Sequence, residues 1–183
     1  MKKIAFFTFV AALQIASTPA AQADLLGLNL GALVGYSSLN ANSEFGDGNG
    51  SIGYGVRVGF EFFSALAVNG EFIYTSTTPS GTTTGFTSNF TEYVGSLDYD
   101  FDLIPRAKIF AGFKMGNINV SSGGNSGSSL GYGGEAGIDF MTGDTFSLGG
   151  ELTYLAVAAP TVSGNTGNTG SLIQVLVSLK KWL

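Results

Sequence analysis

Thirteen consecutive residues, Ser51 to Phe63 (SIGYGVRVGFEFF), hold nearly strict two-residue alternation. Ile52, Tyr54, Val56, Val58, Phe60 and Phe62 are large and apolar, while Ser51, Gly53, Gly55, Arg57, Gly59 and Glu61 are small or charged. Successive side chains on a strand point to opposite faces, so this stretch reads as a strand with one apolar and one polar face. The guanidinium of Arg57, halfway along, is the strongest constraint. The face that carries it must tolerate a charge and offer it carboxylates, because an uncompensated buried charge is costly.

The same design recurs along the chain. Further strands are expected at Leu26 to Ser38, Ala65 to Ser76, Phe90 to Phe101, Ala107 to Val120, Leu130 to Met141, Thr145 to Ala156 and Ser171 to Leu183. Four long polar loops are expected between them: Leu39 to Gly50, Thr77 to Asn89 with Pro79, Ser121 to Ser129, and Ala158 to Gly170 with its NTGNTG tandem. Tight turns are expected near Ser64, at Asp102 to Arg106 with Pro105, and at Thr142-Gly143-Asp144. The total is eight strands, an even number, each near the ~9–11 residues that a tilted membrane strand needs.

Alternation alone does not say which face is inside, since a lipocalin-like barrel or a β-sandwich alternates equally well with its apolar side inward. Three features point the apolar face outward, to lipid. Long and short connections alternate strictly, as in barrels with long outer loops and short periplasmic turns. Tyr36, Tyr54, Tyr74, Tyr93, Tyr132 and Tyr154 then fall at the outer ends of their strands, with Phe60, Phe62, Tyr99, Phe101, Phe140 and Phe146 at the inner ends. Two aromatic girdles suit the two headgroup levels. Finally, charged residues are 11% of the chain, where an ordinary soluble domain has about 25%.

The strand charges lie on the polar face, which is then the lumen. Arg57, Lys114, Glu71, Glu92, Glu135 and Glu151 fall toward its middle or outer half. Glu61, Asp98, Asp100, Lys108, Asp139 and Lys180 fall toward its periplasmic half. An eight-stranded barrel has an interior that side chains just fill, so an ion-pair network is expected there. Its eight acids exceed its four bases, which implies protonated carboxylates, or water or cations in the lumen. Lumen glycines such as Gly53, Gly55, Gly59, Gly133, Gly137 and Gly149 read either as strand curvature and close packing, the favoured reading, or as a narrow water path. Lys181 is the one strand charge on the apolar face.

The first 23 residues read as a cleavable signal: Lys2 and Lys3, an apolar run from Ile4 to Ile15, and Ala21-Gln22-Ala23 before the cut. The expected mature domain, residues 24–183, has a net charge of −7 in place of −5. There is no cysteine, so no disulfide framework, and no apolar run after residue 23 long enough for a membrane helix.

The mature chain resembles the eight-stranded outer-membrane barrels of the OmpA, OmpX and opacity-protein type. The resemblance rests on the signal ending Ala21-Gln22-Ala23, the eight alternating segments and the closing strand Leu172 to Leu183. It covers the barrel alone, without a periplasmic domain. It implies an all-β, eight-stranded, antiparallel up-and-down transmembrane β-barrel in the bacterial outer membrane. Recognition by the barrel assembly machinery would run through the C-terminal strand. Barrels of this type usually end in an outward Phe or Trp; here Lys181 stands at the outward position before Trp182-Leu183.

Catalysis is not expected. The resemblance implies that enzymes on this fold rely on a histidine, and this chain has none. No Cys/His metal cluster or nucleophile constellation is present, and Gly131 to Gly137 lacks the glycine spacing and following helix of a dinucleotide loop. No cofactor is expected. The acidic balance argues against nucleic acid. The loops carry only Glu44 and Asp47 as charges, and their Ser, Thr, Asn and Gly suit mobile, variable surface loops open to a surface ligand, though nothing in them marks one. The leading reading is an outer-membrane barrel with a structural or surface-interaction role. The alternatives are a narrow conduit for ions or small molecules, and a secreted soluble barrel that binds a hydrophobic ligand.

Overall fold

The computed structural model describes residues 26–40, 50–62, 65–77, 88–104, 106–122, 125–158, 161–162, 165–166 and 169–183. The expected signal segment, Glu44, Asp47, Pro79 and Pro105 lie outside the described residues. The strands are β1 (Leu26–Asn40), β2 (Ser51–Phe62), β3 (Leu66–Thr77), β4 (Ser88–Ile104), β5 (Ala107–Ser122), β6 (Asn125–Met141), β7 (Phe146–Val157), the two-residue β8 (Thr161–Val162) and β9 (Asn165–Thr166), and β10 (Gly170–Trp182).

β1 to β7 each pair antiparallel with their chain neighbour, and β10 pairs with β7 on one side and β1 on the other. The result is a closed, up-and-down barrel of eight strands. Closure removes the exposed edges that an open sheet would present. No helix of the described residues is long and apolar enough to cross a membrane.

Burial follows the alternation, inside out relative to a soluble protein. On β2, Ile52, Tyr54, Val56, Val58 and Phe60 are exposed, while Arg57 and Glu61 are buried. On β10, Ile173, Val175, Val177 and Leu179 are exposed, while Gln174, Ser178 and Lys180 are buried. An apolar exterior around a polar interior is the arrangement lipid requires, and it sets aside the soluble reading with an inward apolar face. Val56 is 48% exposed midway along β2. Val56→Arg is therefore expected to destabilise the bilayer-inserted barrel by about 2–4 kcal/mol. Urea unfolding in lipid vesicles checks it, and an unchanged midpoint would mean that this face does not meet hydrocarbon.

Aromatic side chains pair on this outer face, twice across strands and once along β4. Tyr54 sits opposite Tyr74 with ring centroids 5.6 Å apart, Phe72 opposite Tyr93 at 5.2 Å, and Tyr99 beside Phe101 at 4.9 Å. Such contacts each add about 0.5–1.5 kcal/mol beyond the area they cover.

Two expectations about connections are corrected. Ser121 to Ser129 is not a long loop: β5 runs to Ser122, β6 starts at Asn125, and the ladder continues up to Ser122↔Asn125. β4 likewise starts at Ser88, paired with Ser122, so β4, β5 and β6 rise together beyond the tyrosine level as an overhang. Asp102 to Arg106 is also shorter than expected, since β4 extends to Ile104 and pairs it with Ala107. Arg106 takes a left-handed φ of 64° there, with a register shift between Phe101 and Ile104. In the last connection, β8 pairs with β9 and with Ser128 of the overhang.

Candidate functional site: the barrel lumen

Inward-facing residues sort by depth along each strand. On β10 the order from the outer end is Leu172, Gln174, Leu176, Ser178 and Lys180; on β7 it is Val157, Leu155, Thr153, Glu151, Gly149 and Ser147. Apolar side chains come first, charged ones deeper.

The centre of the lumen is one five-residue ion cluster from five strands. Arg57 Nε donates to Glu71 Oε1 at 2.8 Å, and its Nη2 donates to Glu71 and, at 2.5 Å, to Glu151 Oε2. Glu135 Oε2 lies 3.9 Å from the same nitrogen. Lys114 Nζ sits 2.6 Å from Glu135, 2.8 Å from Glu71 and 3.4 Å from Glu151. Every member is buried, Arg57 and Lys114 almost completely. The three carboxylates converge within 4.8 Å, as a metal site would need, but the Lys114 ammonium already reaches all three. Counted as fully ionised, its three carboxylates exceed its two cationic groups by one charge.

Except for Glu92, which lies on the outer side of the cluster, the other predicted lumen charges sit nearer the inner mouth. Lys180 Nζ meets Asp139 Oδ2 at 2.5 Å, and Lys108 pairs with Glu61. Asp98 accepts from Asn69 Nδ2 at 2.5 Å and from Ser96 Oγ at 2.9 Å. Asp100 is half-buried, apart from the central cluster. Glu92 is buried and accepts from Gln174 Nε2 at 2.9 Å. Trp182 lies on the inward side of its strand. Its indole N–H donates to Ser147 Oγ at 3.3 Å, and the Lys108 ammonium stands 5.1 Å over its ring. Lys181, on the outer face, lies 5.9 Å over Phe146.

The charge pattern missed the apolar part of the lumen. Leu39, Phe90, Val94, Ile118, Val120, Leu155, Val157 and Leu172 form a buried cluster at the outer end. Leu33, Ile73 and Leu176 form a second one. The same parity that assigns Arg57 and Glu151 to the lumen assigns these residues to it, so the signal was present in the sequence. Asn29, Ser37, Asn69, Ser96, Thr153 and Gln174 were legible in the same way and are also buried.

The lumen glycines are close-approach points. A Cβ at Gly53, Gly59 or Gly149 would meet side-chain oxygens of Thr75, Asn69 or Asp139. At Gly55, Gly133 and Gly137 it would meet backbone carbonyls of the adjacent strand.

The outer tyrosines stand on the lipid side. Tyr36, Tyr54, Tyr93, Tyr132 and Tyr154 are each about half exposed, and Tyr74 is somewhat more covered beside Tyr54.

Comparison with known proteins agrees with this geometry. The family model described as the outer membrane protein beta-barrel domain matches residues 7–180. Among solved structures, Neisserial surface protein A superposes with a TM-score of 0.68 at 16% identity, over 84% of this chain and 96% of that one. Ail, the attachment invasion locus protein of Yersinia pestis, in complex with the heparin analogue sucrose octasulfate, gives 0.52 at 15%, over 87% and 99%. OprG from Pseudomonas aeruginosa gives 0.53 at 12%, over 87% and 96%. A search of curated proteins finds no match. Identities this low speak for the fold alone, but the family model spans nearly the whole sequence and agrees with the apolar exterior. The chain belongs to the outer membrane protein beta-barrel domain family and resides in the bacterial outer membrane.

Proposed function

We propose that this barrel is a non-catalytic, non-conducting scaffold that holds its outer connections and the β4–β5–β6 overhang at the cell surface for interaction. The observation that carries the reading is the stacking in the lumen of an apolar plug above the Arg57–Lys114 cluster. An ion crossing it would pass the fully buried, wholly apolar side chains of Leu155, Leu172 and Ile118, and could exchange its water only at the single Glu92–Gln174 layer among them. Trp182 and the Lys108–Glu61 pair add a further constriction at the inner mouth.

Ail, with a similar fold, is described as an attachment protein and was solved with a polyanion. The outer connections here contain no lysine or arginine, so a polyanion is not the partner their chemistry favours. Their Ser, Thr and Asn suit a neutral, hydrogen-bonding surface ligand. Export with cleavage after Ala23 and assembly through β10 belong to the same reading. The rival conduit draws on one observation, the excess of lumen carboxylates over bases, which favours cations over anions.

Reconstitution in planar lipid bilayers tests the choice. The purified protein is expected to insert without unitary current steps. Reproducible cation-selective steps would overturn the scaffold reading in favour of the conduit.

A further inference from the structure

Within the apolar outer half of the lumen, above the central cluster, lies a polar layer that the ion pairs leave alone. Gln174 Nε2 donates both to Glu92 Oε1, at 2.9 Å, and to Ser37 Oγ, at 3.0 Å. Ser37 and Thr75 flank Gly53. The point where a Cβ on that glycine would stand is 3.3 Å from Ser37 Oγ and closer still to Thr75 Oγ1. All four side chains are fully buried. Three of their oxygens, Glu92 Oε2, Gln174 Oε1 and Thr75 Oγ1, have no hydrogen-bond partner among the described residues.

The surroundings make this arrangement expensive if left as it stands. The inward neighbours of these residues along their own strands are apolar: Leu39 beyond Ser37, Leu172 and Leu176 on either side of Gln174, Phe90 and Val94 on either side of Glu92, and Ile73 below Thr75. Lys114 is engaged by Glu71, Glu135 and Glu151, and among the described residues no lysine or arginine forms an ion pair with Glu92. A carboxyl group in such a place needs a counter-charge or a proton, and orphaned buried oxygens need a hydrogen-bond donor or a cation.

We propose that Glu92, Gln174, Thr75 and Ser37 form an internal site for one monovalent hard cation of the sodium or potassium class. A carboxylate, a carboxamide and two hydroxyls are an all-oxygen donor set, the kind that hard cations select. One carboxylate balances one positive charge, whereas a divalent ion would carry a surplus into an apolar surround. The absence of a side chain at Gly53 keeps the two hydroxyls on the same small space. Enclosed by the plug residues above the ion cluster, the cation acts as a structural part of the barrel, taken up as it closes.

The experiment compares thermal unfolding of the detergent-extracted protein in sodium, potassium and choline chloride at equal ionic strength. Choline is too large and too poor a ligand acceptor for such a site. The midpoint is expected to be higher by roughly 5 °C in either alkali salt than in choline. The difference should vanish in Glu92→Gln and shrink in Thr75→Val, which removes one oxygen at nearly constant volume and serves alone if the first variant does not fold. Crystals grown in thallium(I) acetate should show an anomalous peak between Glu92 and Gln174. Equal midpoints in the three salts would overturn the proposal and leave water or a proton at Glu92. So would a salt response that Glu92→Gln retains, or a thallium peak only at the Glu71–Glu135–Glu151 cluster.

Discussion

Replacing Arg57 by alanine is expected to lower the stability of the barrel by about 3–5 kcal/mol, the usual cost of breaking a buried charge network by removing one member. The guanidinium is 1% exposed and bonds two carboxylates from β3 and β7, so its loss leaves Glu71 and Glu151 sharing Lys114 with Glu135. Three carboxylates would then face one ammonium in a space with little water to screen them. Urea titration in detergent or lipid vesicles checks it, followed by the fluorescence of Trp182, the single tryptophan. Loss of the compact band on an unheated gel is an independent readout. Arg57→Lys should recover only part of the loss, because an ammonium cannot span both carboxylates with a fixed fork of donors. The double variant Arg57→Ala with Glu151→Gln should be more stable than the first change alone, with a coupling of about 0.5–3 kcal/mol. An Arg57→Ala protein that unfolds at the wild-type urea concentration would mean that the cluster does not hold the barrel together.

Gly133→Ala is the second change for which a large loss is expected, above about 3 kcal/mol, at or beyond the upper end for over-packing a closed interior. A Cβ there runs into the Tyr154 carbonyl and stands 2.9 Å from Leu155 Cα, and neither is the loose end of a side chain. Relief would require β7 to move off β6, with the Gly133↔Leu155 pairing and the plug residue Leu155 carried along. Gly134→Ala is the matched control. It points to the lipid side, where its Cβ finds only the Gly112 carbonyl at 3.4 Å, and its effect should stay within about 0.5 kcal/mol. Side-by-side unfolding midpoints decide the matter; if the two variants match, the close approach at Gly133 does not constrain the barrel.

The overhang marks where composition misleads. Ser121 to Ser129 is all Ser, Gly and Asn, residues that strands generally avoid, and so reads as a loop. Its backbone is nevertheless paired residue by residue up to Ser122↔Asn125, because β4 continues beside it as far as Ser88. Strand propensity measures fit to a half-buried pleated surface, and a ladder already in register can continue without it. Trp182 marks a different limit. Parity puts it on the inward side, but only the closed barrel sets its ring beneath Lys108 and its N–H beside Ser147.

The sequence by itself determined the strands, their number and their two faces, because side-chain alternation is a local property with a fixed period of two. It also determined which face meets lipid, since a charge-poor chain with its charges on one strand face can solvate them only inside. The tertiary structure alone decided depth. Arg57, Glu71, Lys114, Glu135 and Glu151 come from five strands, and nothing local says that they share a level while Glu92 forms no ion pair with a lysine or arginine among the described residues. Barrel strands are tilted and staggered by a shear that belongs to the closed sheet as a whole. That shear determines which inward side chains meet, and so why the lumen holds an apolar plug outside an ion cluster.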